Sequence, residues 1–346
     1  MKFQSPGNLK AALSKPTPTK FFDFYRIIIQ TIETSDGDIP EMARKVLSWI
    51  FRARRTLKMR ELQQAIAMTS ETKDLSDDDL PESSAIIEVC GSLVHYDPVD
   101  DTIAFAHEQV EYFLKETYLT SLLTDVDLAQ TCLTYQLFDV FDSGPCPNNE
   151  TFAARVRYYP FSRYSSQYWG SHLKGEGERT PHLQKLLANL LASQNKVDAM
   201  IQISHQSAVD TIPEEAEQFL PGWDKGVASR DRGYTLFHFI AQFDLTYILE
   251  AFLSEDSEQL QSVFSELRRP KVDDITQPVG FTALHIAAHQ GHLNTLKRLL
   301  EIGADSQRQA ASGLQAIHLA LTRRNKEAVE LLCRPRNIIR LRFPIL

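Results

Sequence analysis

Two segments of this 346-residue chain repeat one another at a fixed interval. GFTALHIAAHQGHLNTLKRLLEIGAD occupies 280–305, and GLQAIHLALTRRNKEAVELLC follows in register at 313–333, with His318 33 residues after His285. Each copy holds two short stretches with apolar residues at helical spacing, a helix pair too small to bury its own apolar face. Units of this kind gain stability only by stacking, so the period commits this part of the chain to a solenoid. GYTLFHFIAQFDLTYILEAFL at 233–253 reads as a degenerate earlier copy. His238 precedes His285 by 47 residues, so about 14 extra residues around Ser257–Gln277 are expected to enlarge a loop.

The 280–305 segment resembles the ankyrin repeat nearly throughout, with Ala283 where proline is usual. In the third copy Arg324 replaces the turn glycine, and CRPRNIIRLRFPIL stands where a Gly-Ala-Asp turn and another repeat would be expected. That apolar end either packs over the last repeat or marks a chain cut from a longer array. The resemblance implies a protein partner bound through turn tips and inner helices, and it places His289, Gln290, Thr322 and Arg323 at partner-contact positions. His285, His289 and His292 share one helical face, which invites a zinc reading. The ankyrin pattern itself supplies His285 and Gly291-His292, so no metal site is expected.

Composition narrows the rest. Glycine is scarce, 14 of 346, about 4% where an average chain carries roughly 7%. That disfavours glycine-cradled cofactor folds and favours helices, and no cofactor is expected. The four cysteines form no CxxC pair, which fits free thiols in a reducing, cytoplasmic compartment. The N-terminus lacks the apolar core of a secretory signal, and no stretch approaches the ~20 apolar residues of a membrane span.

The net charge of −8 is unevenly spread. Residues 1–70 carry 12 basic and 6 acidic side chains, whereas 71–150 carry 2 basic and 18 acidic. From Asp74 to Leu114 there is no lysine or arginine, and a surface built there repels phosphates.

Upstream, FFDFYRIIIQTIE (21–33) reads as an amphipathic helix with Phe21, Phe24, Tyr25, Ile28 and Ile32 on its apolar face. Pro40 then opens EMARKVLSWIFRA, with Met42, Val46, Leu47 and Ile50 facing inward and Trp49 flanking them. MRELQQAIAM (59–68) predicts a second helix with Glu61 and Gln64 on an outward edge. SSAIIEVCGSL (83–93) predicts a third. LVHYD (93–97) and TIAFA (102–106) bracket Pro98–Asp101 as a hairpin, and 107–116 returns to helix. Three helices followed by a hairpin is winged-helix order.

The Leu-Ser-Trp-Ile block, Arg52/Arg54/Arg55, Glu61-Leu62, Cys90-Gly91 and His107…Glu111-Tyr112-Phe113 resemble the winged-helix segment that follows the NACHT NTPase in fungal NACHT–ankyrin proteins. That segment is often labelled after a GPI inositol-deacylase. The label predicts no lipid hydrolysis, because a GxSxG elbow is absent from the sequence. Nucleic acid is not an expected partner: the third helix carries Glu88 and no base, and the wing carries Asp97, Asp100 and Asp101. The Arg52–Arg60 cluster reads as a solvated face or a counterpart of the acidic block. His107-Glu108-x-x-Glu111 lacks the second histidine of a zinc-protease motif, so His107 reads as a helix-start residue packed in the domain.

Between these regions, 124–141 reads as one helix, and 150–175 packs Tyr158, Tyr159, Phe161, Tyr164, Tyr168 and Trp169 into a helix-pair core. The Tyr-x-x-x-Tyr-Trp-x-x-His block resembles the family's linker between winged helix and repeats. HLQKLLANLLAS and KVDAMIQISHQ add two helices.

The expectation is a mainly α protein. A flexible lead-in and junction helix occupies 1–39, and a winged-helix domain with a short β-hairpin follows at 40–119. Stacked helical pairs form a linker domain at 120–230. A short ankyrin solenoid spans 231–334, with repeats at 231–255, 278–305 and 311–334, and an apolar tail covers 335–346. No catalytic constellation and no GxxxxGKS/T phosphate loop occurs. The family resemblance therefore implies a non-catalytic interaction module, the sensing arm of an NTPase switch, with a NACHT domain as a possible partner. The alternatives are an accessory subunit completing an NTPase or hydrolase in trans, and a winged-helix DNA binder.

Overall fold

The computed structural model describes residues 18–209, 232–254, 263–264 and 270–333. The N-terminal lead-in, part of the expected insertion and the apolar tail at 335–346 lie outside the described residues. The chain divides into two units, 1–68 with 75–124 and 69–74 with 125–346. The described residues are mainly helical, with one small antiparallel sheet.

The first unit comprises α1 (Pro18–Glu33), α2 (Ile39–Arg52), β1 (Leu57–Lys58), α3 (Met59–Ala67), α4 (Ser83–Cys90), β2 (Val94–Asp97), β3 (Thr102–Phe105) and α5 (Glu108–Thr117). Pro40 stands in the first turn of α2, where its missing N–H costs nothing. The core gathers Val46, Leu47 and Trp49 of α2, Leu62 of α3, Ile86 and Cys90 of α4, and Ile103 of β3. Each large side chain removed from water there contributes about 1.5–3 kcal/mol. The hairpin pairs Val94 with Phe105 and Asp97 with Thr102, and β1 adds a third strand through Leu57–Ile103. A two-residue strand has no periodicity to read, so the sequence pointed to a hairpin alone.

Three expected faces are corrected here. Trp49 sits in the core rather than beside it. On α1 the buried stripe is Tyr25 and Ile29, while Phe24 is 53% exposed. Glu61 and Gln64 do not form an outward edge; both are buried. Glu61 is drawn inside by Arg55, whose guanidinium donates to both carboxylate oxygens at 2.6 and 2.7 Å, and by the Lys58 N–H at 2.9 Å. Hydrophobic patterning cannot anticipate a carboxylate whose partner lies six residues away.

The second unit contains α6 (Asp125–Gln136), α7 (Asn149–Tyr158), α8 (Phe161–Leu173), α9 (Pro181–Ala192) and α10 (Gln194–Val209). Three helix pairs follow: α11 (Leu236–Phe243) with α12 (Thr246–Leu253), α13 (Ala283–Gln290) with α14 (Leu293–Glu301), and α15 (Ala316–Thr322) with α16 (Lys326–Cys333). The first helices α11, α13 and α15 stack in one row and the second helices in another. The expected helix over 124–141 stops at Gln136 and gives way to a 3₁₀ turn over Asp139–Ser143. Of the aromatic run, Tyr159, Phe161, Tyr164 and Trp169 are core residues, whereas Tyr158 is exposed.

Candidate protein-binding surface

Each of the first two repeats is closed by a histidine that works in two directions. In the first, His238 Nδ1 accepts from the Thr235 N–H at 3.0 Å, sealing the start of α11, and Nε2 donates to the Phe281 carbonyl at 3.2 Å. The second copies it: His285 Nδ1 accepts from the Thr282 N–H at 3.2 Å, and Nε2 donates to the Leu314 carbonyl at 3.2 Å. Both rings are fully buried. Burial pushes the His238 ring down to about 4, against the opposing pull of the Phe281 and Asp274 backbone groups and the Asp274 charge. His285 is lowered for the same first reason. A neutral imidazole is what the arrangement requires, since Nδ1 must accept while Nε2 donates.

The turn between the helices of each pair needs a left-handed residue. Gly291 supplies it at φ +78°. Asp244 and Arg324, at the same place in the other repeats, adopt φ of 58° and 56°. Asp244 turns this into a contact: its carboxylate accepts from Lys174 at 2.8 Å and from the Thr295 hydroxyl at 2.7 Å. Burial works to raise the Asp244 carboxyl, but those two hydrogen bonds and the Lys174 and His292 charges outweigh it and hold it below the usual carboxylate range.

The first repeat rests on the preceding helices. Trp169 meets Phe239 and Phe243 edge-on, at ring separations of 5.4 and 4.9 Å. Glu178, buried, accepts from the Tyr247 and Ile248 N–H groups at 2.9 and 3.1 Å and so caps the N-terminus of α12 from outside the repeat. Burial raises the Glu178 carboxyl; its backbone hydrogen bonds and Lys174 pull the other way.

The four expected contact residues fall at the C-terminal ends of α13 and α15. Gln290, Thr322 and Arg323 are exposed and His289 is half-buried. The structure joins two of them: an Arg323 guanidinium nitrogen donates to His289 Nε2 at 2.8 Å, across adjacent repeats. Burial, reinforced by the Arg323 charge, lowers the His289 pKa, which keeps the ring an acceptor. Thr322 turns its hydroxyl to the Leu319 carbonyl at 2.7 Å. The three histidines of α13 and its turn go separate ways, His292 Nδ1 reaching the Ala241 carbonyl at 2.9 Å. Among the described residues no cluster of three or more His, Cys, Asp or Glu side chains has metal-holding geometry.

In the first unit the basic cluster is occupied. Arg55 holds Glu61, Arg60 meets Asp77 of the acidic block at 2.5 Å, Arg52 donates to the Leu123 carbonyl and Lys58 to that of Asp100. His107 caps α5 by accepting from the Gln109 N–H at 3.1 Å. It is exposed rather than packed, because the N-cap position lies at the surface. Among the described residues no helix is long and apolar enough to cross a membrane.

Residues 33–125 match the family model described as the GPI inositol-deacylase winged helix domain, and 237–340 match the ankyrin-repeat model with three copies. Comparison with curated proteins gave no match. The chain thus carries a winged-helix domain of the GPI-inositol-deacylase type and an ankyrin-repeat region, the module class associated with protein binding.

Proposed function

We propose that this chain is a non-catalytic interaction module whose ankyrin region binds a protein through the exposed ends of α13 and α15. The supporting observation is the row of exposed polar residues, Gln290, Thr322 and Arg323, on stacked and mutually bonded repeats. Side chains held on such a scaffold lose little freedom on binding. In this reading the protein works in the cytoplasm, and the winged helix and repeats act as the regulatory arm of a fungal NACHT-type NTPase switch whose nucleotide-binding domain is the partner of the first unit. The sequence-level support is the absence of a phosphate loop and of a nucleophile elbow from the chain.

The experiment uses the full chain as bait, beside a variant with Gln290→Ala and Thr322→Ala. Cross-linked partners retained by the parent and lost by the variant support the reading. Equal retention by both removes it, and turnover of ATP or a lipid ester by the purified chain replaces it with an enzymatic one.

A further inference from the structure

The third repeat ends in a face that the first two keep covered. His318 retains half of the histidine arrangement, its Nδ1 accepting from the Gln315 N–H at 3.0 Å. It is exposed, however, and among the described residues no carbonyl meets its Nε2. Three residues beyond each histidine, Ala241 and Ala288 are 0% exposed, whereas Leu321 is 55% exposed. Leu314 is 37% exposed, and Ile317 is half-buried where Leu284 and Phe237 are buried.

Leu321 also argues against a fourth repeat of the same kind. A repeat stacked at the spacing of the first three would meet a leucine in a slot that elsewhere holds a methyl group. Overpacking of that size is destabilising. The electrostatic setting points to a different occupant. Exposed Arg323 and Arg324 follow directly, and Arg308 stands exposed on the preceding loop. The stretch 306–325 contains no acidic residue. Glu327 and Glu330 lie on α16, Glu330 within 3.8 Å of Lys326. The bond from Arg323 to the neutral His289 ring leaves the guanidinium charge uncompensated. The chain's own continuation, 334–346, is apolar but brings Arg334, Arg336, Arg340 and Arg342 and no acid, so like charges oppose it on this face.

We propose that the end face of the third repeat, Leu314, Ile317 and Leu321 bordered by Arg323 and Arg324, docks an acidic amphipathic segment of another protein through a leucine-type anchor. The inference rests on the protein-binding reading above and gives its partner a chemistry. An apolar anchor desolvated beside cations is the arrangement in which charge selects the partner and burial holds it.

The test uses the full chain and a fluorescein-labelled peptide of glutamate and leucine patterned to give one apolar helical face, read by anisotropy. Two control peptides replace every glutamate by lysine or every leucine by alanine. The glutamate–leucine peptide is expected to bind saturably and neither control to do so. Leu321→Ala and the pair Arg323→Glu/Arg324→Glu are each expected to weaken it about tenfold or more, about 1.4 kcal/mol. Lys297→Ala, at an exposed position of α14, is expected to leave it unchanged. Leu321 is exposed, so its truncation keeps the fold, and an unchanged melting curve verifies this.

Binding of the alanine control would reduce the effect to charge attraction and overturn the proposal, as would indifference to Leu321→Ala. Binding seen only after removal of 334–346 overturns it in favour of the chain's own tail. Self-association abolished by Leu321→Asp overturns it in favour of a second copy. A partner captured through Gln290 and Thr322, with no peptide binding, leaves the general reading standing and this one refuted.

Discussion

Gly170 lies so close under Phe243 that a Cβ on it would sit 2.2 Å from the ring's Cδ2 and Cγ. The glycine belongs to α8 and the phenylalanine to α11, so the first repeat is seated on the preceding helices at van der Waals contact.

Gly170→Ala is therefore expected to destabilise the second unit despite the better helix propensity of alanine. The ring is flanked by Trp169 and cannot withdraw freely. The net loss is expected at about 1–3 kcal/mol, read as a lower urea midpoint with an unchanged slope. Equal or higher stability would show that the ring yields.

Glu178 serves the same junction by hydrogen bonding. Glu178→Ala leaves the Tyr247 and Ile248 N–H groups without their acceptor at the start of α12, an expected loss of about 1–3 kcal/mol. Amide exchange at those two positions should accelerate before that of α14. Uniform exchange across the repeats would contradict the local role.

His238 makes the repeats sensitive to acid. Its folded pKa, about 4, lies below the ordinary value of 6.5, so in the affected range the unfolded chain binds the extra proton. The stabilisation is complete above pH 6.5, declines as pH falls, and is exhausted below the folded value. The shift amounts to roughly 2 kcal/mol at pH 5. His285 moves in the same direction. Denaturation at pH 7.5 and pH 5 should show the loss, and His238→Gln should shrink it. A midpoint independent of pH would refute this.

Asp244 and Arg324 share a left-handed conformation but predict opposite outcomes when replaced by glycine. Arg324→Gly relieves the backbone and is expected to stabilise by about 0.5–1 kcal/mol. Asp244→Gly gains the same relief but gives up Lys174 and Thr295, so no gain is expected and a loss of about 1 kcal/mol is the central figure. Thermal unfolding of both variants checks the contrast.

Arg55→Ala would strand the buried Glu61 carboxylate with only the Lys58 N–H from this arrangement. The expected cost is about 2–4 kcal/mol, and the double change Arg55→Ala/Glu61→Gln should recover part of it. Urea denaturation of the parent, Arg55→Ala, Glu61→Gln and the double variant measures the coupling.

Periodicity and motif spacing made most of this architecture legible: the repeat histidines, the hairpin around Pro98–Asp101 and the helical bias. Long-range polar pairing stayed hidden. Nothing in the order of residues tells that Glu61 turns inward to Arg55, that Glu178 caps a helix 69 residues later, or that Asp244 replaces a glycine and gains Lys174. Among the expected contact residues, the His289–Arg323 bond follows from a 34-residue separation, one more than the repeat period, which a reading of equivalent positions overlooks.

The histidine ladder has a consequence for how this chain can vary in length. From His238 to its carbonyl at Phe281 is 43 residues, and from His285 to Leu314 is 29, yet both bonds measure 3.2 Å. The additional residues leave the vertical bond undisturbed. The length of chain between the first two repeats is accordingly free to change, by engineering or by gene-level insertion, while the spacing from His238 and His285 back to Thr235 and Thr282 tolerates no such change.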